Sequence, residues 1–148
     1  MTTIAQVAQA WSDLYSGSPA LRTAIGFSHL GALLVGGGCA VGDDLATLRA
    51  SDIAHLPKHR RGVHRTVVAG LAILIVSGVL LFFANLDTYL SSKVFWLKMG
   101  LVLALFGNGI AIVRAERDWN QIHIKRVASI SLALWILTTF AGVLLMNA

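Results

Sequence analysis

Four apolar stretches, at about 20–42, 63–84, 93–114 and 126–146, leave this chain very few ways to fold. Each runs about 20 residues, or roughly 30 Å as a helix at ~1.5 Å per residue, which matches the hydrocarbon core of a bilayer. Lipid offers no water to unpaired N–H and C=O groups, so each stretch must satisfy its own backbone as a helix. Composition agrees: 56% of the residues are hydrophobic and 13% charged, too little charge for a soluble domain of this length. The expected fold class is all-α, an integral membrane up-and-down four-helix bundle over 18–148. A short amphipathic interfacial helix over 1–17 precedes it.

The net charge of +5 belongs to topology rather than to nucleic acid. Nine of the twelve Lys and Arg flank two loops: Arg49, Lys58, Arg60, Arg61 and Arg65 between spans one and two, and Arg114, Arg117, Lys125 and Arg126 between spans three and four. Arg22, Lys93 and Lys98 lie toward the other side. Cytoplasmic loops carry the excess of Lys and Arg, so both termini are expected outside. The first 20 residues hold no Lys or Arg and no apolar core of a secretory leader, which makes span one the expected insertion signal. Cys39 is the single cysteine, so no intrachain disulfide forms.

Residues 3–15, TIAQVAQAWSDLY, place Ile4, Val7, Trp11, Leu14 and Tyr15 at helical spacing among polar residues. This predicts a helix on the outer surface or against a partner subunit, with Trp11 as its main anchor. Ser18 suits the cap of span one and Pro19 its first turn. Pro57 is expected to open the second helix. The outer loop over 85–92 is short, which predicts a tight antiparallel hairpin of spans two and three, and ERDWNQIHIKR is too short to hold a domain. No internal repeat or low-complexity segment is seen.

The stretch FSHLGALLVGGGCAVGDDL, residues 27–45, sets His29 inside hydrocarbon, about 15 Å along the helix from Pro19 at ~1.5 Å per residue. His29, Ala32, Gly36 and Ala40 share one stripe, polar and small, that suits the bundle interior and lets a helix or a flat ligand approach. One reading makes His29 an axial ligand to a haem b-like macrocycle, or a ligand to copper. The other makes it a packed imidazole bonded to a Ser, Thr or carbonyl of a neighbouring helix. On span three, Met99 offers a second axial ligand, and Lys98 either meets a propionate or snorkels outward. No other span has a His at mid-depth, which speaks against a di-haem protein.

His64 and His123 open spans two and four at matching depth. They form a second candidate cofactor-binding pair if those spans are diagonal, or are simply solvated among Arg and Lys. His55 and His59 flank Pro57, which works against one helical face. Asn108, Ser131, Thr138 and Thr139 are expected to bond between helices, with Ser131, Thr138 and Gly142 on one stripe. No Ser-His-Asp set, phosphate loop or intramembrane carboxylate pair is present, so no catalytic residue is assigned and the chain is expected to have no activity of its own.

HLGALLVGGGCAVGDDLATLR and KVFWLKMGLVLALFGNGIAIVRAER, where Trp96 precedes Lys98, resemble the first and third spans of bacterial four-helix membrane proteins related to copper resistance protein D. The resemblance implies a bacterial inner-membrane bundle with copper handling or b-type haem. The chain departs from a copper importer in lacking Met- and His-rich external motifs. Two functions remain open: a membrane subunit that holds a haem or metal and transfers electrons, or a cofactor-free accessory or assembly subunit of a larger membrane complex. Both take lipid and other membrane subunits as partners, and neither takes nucleic acid.

The charge asymmetry carries its own test. Reporters active only in the periplasm, fused next to Met1 or Ala148, are expected to be active at both ends. Silence at both ends would overturn the orientation.

Overall fold

The computed structural model describes residues 4–51, 60–117 and 121–146. Its elements are α1 (Ile4–Gly17), α2 (Pro19–Ala32), a π-helical turn (Leu33–Gly37), α3 (Gly38–Arg49), α4 (Arg60–Ala84), α5 (Leu86–Ser91), α6 (Lys93–Arg117) and α7 (Gln121–Met146). Four segments are long and apolar enough to cross a bilayer: Pro19–Arg49, Gly62–Ala84, Lys93–Ala115 and Gln121–Leu145. The chain is an all-α, multi-pass membrane protein. The expected helix start at Pro57 and the His55/His59 pair lie outside the described residues.

Span one is longer than its apolar block. It runs 31 residues, or about 46 Å at ~1.5 Å per residue, well beyond a hydrocarbon core of ~30 Å. Asp43 and Asp44, expected in a loop, therefore ride on helix α3, and Asp44 is buried. Both ends of the span are satisfied as helix termini require. At the start, Ser18 Oγ accepts from Leu21 N–H at 3.3 Å and Pro19 stands in the first turn. At the far end, Lys125 Nζ on α7 donates to the Ala50 carbonyl at 2.6 Å, and Gln121 Nε2 donates to that of Ser51 at 2.8 Å. A cation there also opposes the negative end of the helix dipole.

Spans one and two cross at two glycines. A Cβ built on Gly36 would lie 2.9 Å from Gly70 Cα, and one built on Gly70 would lie 2.7 Å from Gly36 Cα. No side chain fits there, so the backbones themselves touch, as small residues permit between membrane helices. The neighbouring Gly37 takes span four: a Cβ on it would meet the Trp135 ring at 3.0 Å. The π-helical turn lies at this crossing and changes the helix phase. The single stripe expected through Ala40 therefore ends at Gly36. Beyond it the buried positions are Gly37, Asp44 and Thr47, while Ala40 is only half-buried.

Span one packs along α4 through α2, the π turn and α3, but along α7 mainly through α3, with Gly37 of the π turn touching Trp135. Spans three and four pack closely, and Asn108 Nδ2 donates to the Val127 carbonyl at 3.2 Å, the interhelical bond expected of it. Consecutive spans α4 and α6 are not packed along one another, so the expected tight hairpin does not form. The reason is α5, which spaces their ends, with Phe82, Tyr89 and Phe95 stacked in the junction. Two helix pairs thus join on the α3 side and stand apart on the α2 side.

Helix α1 docks on the chain's own second span. Trp11 Nε1 donates to the Leu80 carbonyl at 2.8 Å and Ser12 Oγ to that of Ala84 at 2.8 Å. Trp11, expected as a lipid anchor, is partly buried against α4 instead, while Val7 and Leu14 remain exposed.

The glycine crossing predicts a contrast between two nearby positions. Gly36→Val should lower stability by about 1–3 kcal/mol, the usual cost of overpacking. Gly38→Ala has open space around its Cβ and should be neutral or stabilising. Reversible unfolding of both variants in detergent compares them directly; equal stabilities would refute the backbone contact.

Candidate functional site

His29, Ser77, Lys98 and Thr138 lie in the halves of the spans nearer α1, where α2 and α6 are not packed together and leave an opening between the helix pairs. His29 projects from α2 toward α4, where its Nδ1 lies 2.8 Å from Ser77 Oγ. Gly78 comes next: a Cβ built there would stand 3.6 Å from His29 Cε1. That is an ordinary contact distance, so the ring lies against Gly78 while the bond to Ser77 sets its position. This is the helix-to-helix hydrogen bond that one reading of His29 expects.

The bond also fixes the tautomer. Ser77 has one hydroxyl proton, and its Oγ lies 2.6 Å from the Ile73 carbonyl one turn back. With the proton given to Ile73, Ser77 Oγ accepts from His29 Nδ1–H. The Nε2 lone pair is then unused, and no partner meets Nε2 among the described residues. An imidazole that donates through one nitrogen and presents the other is arranged as metal-ligating histidines are.

Lys98 comes from α6 and crosses to α7. Its Nζ stands 3.4 Å from where a Gly142 Cβ would be, which places the ammonium against α7 at Gly142. The side chain is half-buried rather than snorkelled into the open, and its charge acts on His29. One turn before Gly142 on the same face of α7, Thr138 Oγ1 is buried without a hydrogen-bond partner among the described residues. Thr23, Ser28, Thr47, Thr66 and Ser129 each return their hydroxyl to the carbonyl four residues earlier. Thr138 does not.

The sequence candidates divide accordingly. His29 and Lys98 come within electrostatic reach of one another. Met99 follows Lys98 and is half-buried, but α6 is not packed on α2, and nothing seats its thioether against His29. His64 and His123 are both exposed, on helices α4 and α7 that are not packed together. The described residues contain no cluster of three or more His, Cys, Asp or Glu. Ser77, Gly78 and Thr138 complete the site. Thr138 was legible as a polar group at depth, whereas Ser77 and Gly78 carried no signal apart from the helix they meet.

Above the opening, burial and then the nearby Tyr15 phenol push the Tyr89 hydroxyl above its usual range. Phe82, Tyr89 and Phe95 stack on one another at this junction. Compared with known proteins, the chain matches no family model, no curated protein and no solved structure.

Ser77→Ala removes the partner of Nδ1. It is expected to cost about 0.6–2 kcal/mol, the range of interhelical hydrogen bonds in membranes. Nitrogen-15 NMR of labelled histidine should show His29 as the Nδ1–H tautomer in the native protein and as a mixture in the variant. A native Nε2–H tautomer would contradict the assignment.

Proposed function

We propose that the protein is a membrane subunit that holds a haem b-like macrocycle through His29 and takes part in electron transfer. The observation that carries this reading is the oriented imidazole: Nδ1 is bonded to Ser77, and Nε2 meets no partner among the described residues. A macrocycle suits the residues better than a bare copper ion. Copper would need several protein donors, and the described residues offer no such cluster, whereas a porphyrin brings four nitrogens and asks for one or two axial ligands.

Each residue then has a defined task. Ser77 holds the His29 ring against Gly78, and Lys98 supplies a positive charge beside it. Met99, across the opening on α6, is the second-ligand candidate named by the sequence. The stacked Phe82, Tyr89 and Phe95 would shield the α1 end of the site from water. A bound haem supplies a one-electron couple; the protein tunes it through the axial ligand, burial and charge. In this reading the protein sits in a bacterial inner membrane with both termini periplasmic, and it exchanges electrons with another membrane subunit.

The test is a spectrum. Native protein purified in mild detergent and supplied with haem should show a Soret band at one haem per chain. His29→Ala should lower occupancy at least ~10-fold, as loss of the coordinating bond requires, while the joint His64→Ala/His123→Ala variant keeps it. Absence of any Soret band from the native protein would leave a cofactor-free accessory or assembly subunit. The exposed Val7 and Leu14 of α1 would then be the place to look for its partner.

A further inference from the structure

Lys98 poses a problem that His29 does not solve. Its ammonium sits half-buried against span four, about five residues or ~7.5 Å below the start of α6 at Lys93. It makes no hydrogen bond or ion pair among the described residues, and no carboxylate there exerts a field on it. Partly desolvated charges are expensive unless paired. The Thr138 hydroxyl, one turn deeper on the face of α7 that Lys98 crosses, is likewise buried without a partner. A cation and a hydroxyl donor, both unmatched and on one face, are two halves of a recognition point.

We propose that Lys98 and Thr138 bind the carboxylate of a largely apolar ligand lodged in the opening between the two helix pairs. A carboxylate matches the donors: one oxygen takes the ammonium, the other the hydroxyl, and one negative charge cancels one positive. A phosphate dianion would leave net charge in the same low-dielectric setting. A phospholipid's diester is tied to the interface, above the depth of Lys98. Exposed side chains of these spans are large and apolar, Leu30 and Leu34 on span one and Leu97 and Leu103 on span three among them, so the ligand body is apolar as well. Two sources supply this chemistry: an acid side arm of the macrocycle at His29, or the head of a free fatty acid. The first deepens the proposed function, and the second is independent of it.

Esters separate the cases because they keep the shape and remove the charge. The purified protein is titrated with iron protoporphyrin IX and its dimethyl ester, and with oleate and methyl oleate. At least one acid is expected to bind about 10-fold more tightly than its ester, the worth of one charge-assisted hydrogen bond. Lys98→Met should erase that preference, Lys98→Arg should keep it, and Thr138→Val should weaken it several-fold. Unchanged helical circular dichroism and detergent stability show that the Met variant is folded; should it fail to fold, the Thr138→Val titration decides.

The outcomes distinguish the two readings. An oleate preference with no macrocycle binding ends the haem reading and supports the carboxylate site. Macrocycle and ester binding equally, both lost in His29→Ala, with oleate and methyl oleate also alike, supports the haem reading and overturns the carboxylate site. Acids and esters binding alike throughout, or a preference that survives Lys98→Met in a folded protein, also overturns it.

Discussion

The contact between Gly36 and Gly70 governs the rest of the bundle. Two backbones that touch cannot slide or rotate much, so α2 and α4 are fixed as one pair. That pair sets the register by which His29 meets Ser77, two turns to the outer side of the crossing on each helix. Gly37, one residue on, receives Trp135 and fastens the same point to span four. A three-way knot of small residues and one large ring therefore sits near the middle of the spans. Outside it the pairs are free to stand apart, and the opening follows from where the knot lies.

That division separates structural polar groups from the ones the site uses. Asn108, Thr47 and the capping Lys125 all find acceptors within the fold and contribute to holding it. His29, Lys98 and Thr138 keep bonding capacity unspent on the open side. A bundle assembled in lipid loses stability by leaving such groups unmatched, since no water compensates them. Their convergence from spans one, three and four is what gives the open side a ligand chemistry.

The sequence made the membrane spans plain, because a bilayer imposes length and apolarity on any helix that crosses it. Ser18 and Pro19 marked the start of span one for local reasons, and the structure agrees. Helix pairing was less legible. A lipid-facing Leu and a helix-facing Leu look alike, so the short 85–92 connection was the only guide, and it pointed to a hairpin that α5 prevents. The stripe through Ala40 failed because hydrophobic periodicity assumes an unbroken α-helix, and a π turn changes the phase without changing composition. Trp11 read as a lipid anchor since nothing local reveals the Leu80 carbonyl it bonds. His29 was conspicuous for its polarity alone; its orientation depends on Ser77, 48 residues away.

The docking of α1 has a consequence for how the protein is made. Its two bonds reach the last turn of α4, 69 and 72 residues further along the chain. During synthesis α1 exists long before Leu80 and Ala84, and the chain must cross the membrane twice before they meet. Until then α1 has α2 beside it but not the α4 carbonyls that its indole and hydroxyl will bond. The N-terminal segment thus behaves as a latch that closes on the first completed helical hairpin, a checkpoint on insertion built from one indole and one hydroxyl.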